Sequence, residues 1–204
     1  MAGTLTACFP LAVGGAAVGG ALVATDRRTS GTQLEDEGIE LRAAARIRDT
    51  LGSRVRVSIT SYNRQVLLTG EAPNAQDKQR VEQVVSGVEN VRATVNELVV
   101  MDSPSLTERS SDALTTGKVK AALVDTKDVS ANAFKVVTER GVVYLMGRVT
   151  QREADRATEV TRSVGGVQRV VRILEILSEE ELQRLLPQSS RPAPAPAPVA
   201  APAS

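Results

Sequence analysis

At 204 residues the chain has room for one or two domains, and its formal net charge of +1 provides no global field that would draw nucleic acid. The absence of histidine excludes imidazole-based nucleophilic triads and most zinc sites, and a single cysteine cannot close an internal disulfide. Aromatic content of 2% leaves cores of Val, Leu, Ile and Ala, and no stacking platform for single-stranded nucleic acid.

The first 24 residues are apolar and small. Leu5-Thr6-Ala7-Cys8 has the Leu-x-small-Cys form of a lipobox, in which Cys8 becomes the first mature residue and carries acyl chains. A secretory signal needs a charged stretch and an apolar run of roughly 7–15 residues before the cleavage site, so this reading requires a start upstream of Met1. In the competing reading, Phe9–Ala24 is itself the apolar run of a signal or a membrane helix. It is short of the roughly 20 residues needed to span, and its glycines weaken a helix. Asp26–Gln33 is polar and is expected to be a tether, so residues 1–33 form one N-terminal segment.

The first domain is expected over 34–101. Ile39, Ala43, Ile47 and Leu51 share one face of a helix over Glu37–Leu51, and Gly52 stops it. Val55, Val57 and Ile59 alternate with polar residues as a half-buried strand, and Ser61–Arg64 turns the chain into Gln65–Thr69. Gly70 is expected to end that strand. Val81, Val84, Val85 and Val88 form the buried face of a second helix, and Val91–Val100 is a third strand containing Asn96-Glu97.

A linker is expected over 102–110 and a second domain over 111–178. Asp112–Asp125 is an awkward helix: Gly117 costs about 0.8–1 kcal/mol relative to alanine, and only Val119, Ala122 and Leu123 look like core. A hairpin follows over Phe134–Met146. Thr150 or Gln151 opens a helix with Ala154, Ala157, Val160 and Val164 on its buried face, and Val167–Leu177 is the last strand. Residues 179–204 are a short helix with a capping-box start at Ser178, then a Pro-Ala tract with nothing to bury.

The two halves repeat. Val66-Leu67-Leu68-Thr69-Gly70 returns as Val143-Tyr144-Leu145-Met146-Gly147 about 77 positions later, a spacing that indicates a duplicated domain rather than a solenoid. Each copy reads helix–strand–strand–helix–strand. The expected class is α+β, with two tandem domains whose three-stranded mixed sheets are each covered by two helices on one face.

These features resemble the BON-domain family. The resemblance rests on the strands Val66–Gly70 and Val143–Gly147, the Gly166-Val167 step and Asn96-Glu97. Further segments are similar to the dual-BON outer-membrane lipoproteins of Gram-negative bacteria: Thr25-Asp26-Arg27-Arg28, Gly31-Thr32-Gln33, Pro73-Asn74-Ala75 and Val149–Ala154. The resemblance implies a non-enzymatic, periplasm-facing lipoprotein of the outer membrane that supports envelope integrity. It implies contact with anionic phospholipid through the first helix of the second domain and the loop beyond it. By position that surface is Leu114, Gly117, Lys118, Lys120, Val124, Lys127 and Val129, with Leu114 where a family member carries tryptophan. The lysines fit this surface, since each cation near an anionic membrane contributes on the order of 1 kcal/mol. The alternative is a solvated helix face with Leu114 capping the core.

A second functional reading is an adaptor that pairs a sheet edge with a protein partner, such as the outer-membrane assembly machinery. For catalysis the candidates are Glu71, Asp77, Glu153 and Asp155, which read better as surface helix charges. No catalytic residue, cofactor, metal or nucleic-acid partner is therefore expected.

Overall fold

Residues 26–101 and 106–185 are described by a computed structural model of the chain. Cys8, the Phe9–Ala24 run, residues 102–105 of the expected linker and the Pro-Ala tail lie outside them. The first helix, α1 (Ser30–Leu51), starts in the segment expected to be a tether. The side chain of Thr29 caps it by accepting from the Thr32 N–H, and Gly52 closes it at φ 61°. Strands β1 (Arg56–Tyr62) and β2 (Gln65–Ala72) form an antiparallel hairpin with Ile59 opposite Leu68. Helix α2 (Ala75–Ser86) then crosses over to β3 (Ala93–Asn96), which lies parallel to β2. The expected third strand is interrupted at Glu97-Leu98, directly after Asn96. The Asn96 amide donates to the Lys78 carbonyl, and the strand resumes as β4 (Val99–Val100), still parallel to β2.

The second copy repeats the order. Helix α3 (Leu106–Asp125) begins inside the expected linker and runs unbroken through Gly117. Strands β5 (Phe134–Glu139) and β6 (Val142–Thr150) form the hairpin, and helix α4 (Gln151–Ser163) leads to β7 (Arg169–Leu177). Here the parallel pairing runs without interruption from Val142–Arg169 to Thr150–Leu177. Thr150 and Glu153 form a capping box on α4. Ser178 and Glu181 do the same for the short helix α5 (Glu179–Leu185).

An aspartate in each first helix pins each hairpin. Asp36 accepts from the backbone N–H groups of Asn63 and Arg64, both at 2.8 Å, and from the Ser61 hydroxyl at 2.6 Å. Asp112 accepts from Arg140 N–H at 2.7 Å and Gly141 N–H at 2.9 Å. Both turns need positive φ at two successive residues, which only glycine adopts at no steric cost (Asn63 and Arg64; Arg140 and Gly141). The helix aspartate compensates by satisfying the N–H groups the turn leaves open.

Gly70 and Gly147 do not end their strands. Each lies inside one, where the backbone alongside passes too close for a side chain: strand β1 at Gly70, and the short turn that leads into β5 at Gly147. A Cβ on Gly70 would sit 2.1 Å from the Arg56 carbonyl oxygen, and one on Gly147 would sit 2.4 Å from that of Ala133.

Each sheet is covered by its two helices on one face only. In the first domain Ile39, Ala43, Ile47 and Leu51 of α1 and Val81 and Val85 of α2 pack on Val66 and Leu68. In the second, Val119, Leu123, Ala154 and Ala157 pack on Val143 and Leu145. The opposite sheet faces meet each other. Tyr62 and Leu67 pack against Tyr144, Met146 and Ile173 in a third core. The layers therefore run helices, sheet, sheet, helices. This explains why Val66–Leu68 and Val143–Met146 are uninterrupted apolar runs: β2 and β6 are central strands buried on both faces.

Candidate functional site

Helix α3 uses a narrow stripe for its own core. Thr115, Val119 and Leu123 point inward and are 0–3% exposed. The outward stripe carries apolar residues: Leu114 and Val124 are 67% and 69% exposed, with exposed Ala121 and Gly117 between them at helical spacing. Gly117 has no atom within 4 Å of a built Cβ, so no packing inside the chain requires it. It leaves a notch of bare helix backbone between two projecting apolar side chains. Lys118, Lys120 and Lys127 are exposed around this stripe.

Of the expected contact residues, six share this surface and one does not. Val129 is only partly exposed and packs against the core of the second domain. It follows Asp128, whose φ of 70° turns the loop back toward the sheet. Arg152 belongs to the rim instead, 3.9 Å from Asp128. Sequence spacing could not find it, because it comes from the start of α4. Asp125 and Asp128 also face solvent here and Asp26 borders the face beside Lys120, so the three lysines and Arg152 outnumber the carboxylates by one.

The candidate catalytic carboxylates are not uniformly surface charges. Glu71 is buried at the seam between the domains, Glu153 is buried at the start of α4 against the segment that precedes α1, and Asp77 is buried at the start of α2, where it bonds the capping Asn74. Glu71 accepts from Arg56 at 2.8 Å and from Arg140 of the other domain at 3.3 Å, and Arg56 reaches Glu139 at 2.7 Å. Lys135 joins Glu40 across the same seam at 3.0 Å. Glu153 receives both arms of the Arg27 guanidinium, at 2.6 and 2.8 Å. Burial alone would raise the Glu153 pKa, but Arg27 and the Thr150 N–H overcome it and hold the carboxyl below its usual range. Asp155 is exposed and paired with Arg172 at 2.9 Å. Each of these carboxylates is thus bound to a cation or a cap. Among the described residues no cluster of three or more acidic, histidine or cysteine side chains could hold a metal.

The chain's two tyrosines both enter the seam, where each hydroxyl reaches the other domain: Tyr62 donates to the Ala133 carbonyl at 3.3 Å and Tyr144 lies 3.4 Å from Glu97. Burial pushes both phenols up to about 12.

The BON domain model matches this chain twice, over residues 36–102 and 111–177. The chain belongs to the BON-domain family. Among characterised BON proteins, it is 36% identical over 175 residues to the outer membrane lipoprotein DolP of Haemophilus influenzae, a match covering 85% of this chain and 90% of that protein. It is 34% identical over 151 residues to a 21 kDa hemolysin of Actinobacillus pleuropneumoniae, covering 73% and 78% of the two chains. It is 30% identical over 145 residues to osmotically-inducible protein Y of Escherichia coli, covering 69% and 72%. The likeness to DolP makes this tandem BON protein an envelope protein of the outer-membrane lipoprotein type, facing the periplasm. No helix among the described residues is long and apolar enough to cross a membrane.

Proposed function

We propose that this BON protein is non-enzymatic, is anchored by acyl chains on Cys8, and binds anionic phospholipid through the outer face of α3, so helping to maintain outer-membrane integrity. The observation that carries the reading is the outer stripe of α3: Leu114 and Val124 project from a helix whose inner face is already filled, with lysines around them. Leu34 and Leu41 of α1 are as exposed, at 69% and 73%; what sets α3 apart is its apolar pair together with the unpacked Gly117 and the surrounding lysines.

Magnitudes fix the kind of binding. Burying each apolar side chain contributes about 1–2 kcal/mol. Each of three lysines adds on the order of 1 kcal/mol. Ordering costs reduce that sum, so the face alone holds a membrane weakly and reversibly. Acyl chains, at about 0.8 kcal/mol per buried CH₂, supply the firm attachment. The face then decides which lipid is met and how the domain pair lies on it.

Vesicle co-sedimentation tests this on protein lacking acyl chains. Binding is expected to vesicles with anionic lipid and not to neutral ones, and Lys118→Glu or Leu114→Asp should weaken it about fivefold or more, from roughly 1 kcal/mol lost per site. Equal binding to both vesicle types, or none, would sink the lipid reading and leave the adaptor reading. In cells, Cys8→Ser should abolish palmitate labelling and membrane fractionation.

A further inference from the structure

The segment Asp26-Arg27-Arg28 was expected to be solvated tether, yet Arg27 is among the most buried charged residues of the chain. The two neighbouring arginines are committed to different domains. Arg28 binds the first: it donates to Asp36 at 2.8 Å, and its guanidinium lies 4.2 Å over the Tyr62 ring. Arg27 binds the second: it forks onto Glu153 and donates to the Arg148 carbonyl at 2.9 Å. Side chains of consecutive residues held from two sides fix the backbone between them more tightly than either could alone. Asp26, the residue before the pair, lines a recess of about 340 Å³ together with Lys120 and Val124 of α3. The N-terminal chain therefore leaves the folded body beside the apolar, lysine-rimmed face.

We infer that Arg27 and Arg28 form a two-sided clasp that sets the exit point of the N-terminal chain, so that the Cys8 anchor and the α3 face engage the same membrane. This rests on the function proposed above and gives it a positioning device. The seam already has other cross-domain pairs, Arg56–Glu139 and Lys135–Glu40 among them, so joining the domains does not require the clasp. Its distinct consequence is the exit point. The eighteen positions from Cys8 to Asp26 reach at most about 60 Å when fully extended. A weak face gains from tethering only through its effective concentration at the membrane, which is lost when geometry forbids simultaneous engagement. The layered fold puts α1 on the far side of the molecule from α3. An exit there would turn the face away.

The test uses the lipidated full chain in vesicles containing anionic and brominated lipid. A fluorophore is placed at Ala121→Cys on α3 or at Leu41→Cys on α1, since the acylated Cys8 offers no competing thiol. In the otherwise unmodified protein, the α3 probe should be quenched at least about threefold more than the α1 probe. Glu153→Gln should bring the two close to equality. The same variant without acyl chains should keep its circular dichroism spectrum and bind anionic vesicles within about twofold of its parent, because the face itself is untouched. Equal quenching at both sites without Glu153→Gln overturns the inference, as does unchanged quenching with it. Parallel loss of binding in acylated and acyl-free forms shows a plain structural role and also overturns it. Failure of the acyl-free parent to bind anionic vesicles sinks the lipid reading instead, while the two-probe comparison still reports orientation.

Discussion

Gly70 and Gly147 occupy equivalent places in the two domains for one reason: a backbone carbonyl, of β1 in the first and of the turn before β5 in the second, stands where a Cβ would be. Gly70 carries the added demand of φ 116°. Replacing either with alanine forces backbone apart rather than a flexible side chain. The expected loss in urea unfolding is about 2–3 kcal/mol for Gly70→Ala and about 1–2 kcal/mol for Gly147→Ala. The repeat of the glycine was visible in the chain, but its purpose was not. A glycine after an apolar run reads as a strand end, because close approach by neighbouring backbone leaves no local mark. Asp36 and Asp112 were missed for a similar reason. Each looks like an ordinary helix carboxylate until the hairpin it pins is folded against it.

At the scale of elements, the strands, the hairpins and the helix pairs follow from period and punctuation. The inward stripe of α2 reads directly as Val81 and Val85, and Val88 joins the same core just past the helix end. Helix α3 shows the limit. Its inner positions include Thr115, and its outer ones include Leu114 and Val124, so apolar periodicity alone misplaces the face. The outer face of α3 gathers six of the seven residues to which family likeness points, while Val129, in the loop beyond, packs against the core of its own domain. Gly117 gives this element a clean test. With open space around it, Gly117→Ala should raise stability by about 0.8–1 kcal/mol, seen as a higher thermal midpoint in the acyl-free protein. A lower midpoint would show that the glycine has a packing role within the chain.

Across the whole molecule, two thin cores are reinforced by a third formed where the sheets meet. The charge pairs that cross that contact are partly buried, whereas Arg27–Glu153 is buried on both sides, and removing one partner of such a buried pair costs about 3–5 kcal/mol because the other is left uncompensated. Glu153→Gln is therefore expected to lower stability at neutral pH by about 3 kcal/mol. The pH dependence has a definite sign. The folded Glu153 carboxyl titrates below its ordinary value of 4.5, so its contribution is complete above that value and is lost as pH falls through the lower, folded one. Urea midpoints of the parent and Glu153→Gln proteins should thus draw together as pH falls below 4.5. A difference that stays constant with pH would mean that the carboxylate's charge does not matter.

By itself the sequence determined the secondary structure, the duplication and the family, since these depend on local period, glycine placement and spacing. Even the double burial of β2 and β6 was written in their unbroken apolar runs. Only the tertiary structure decided how the two copies meet, that Glu71 lies at the seam and Glu153 under Arg27 rather than in solvent, and that Arg27 and Arg28 are part of the folded body. Charges that pair across 69 to 126 positions of chain look the same in sequence as charges that face water. Their partners exist only once both sheets have formed and turned their uncovered faces toward each other.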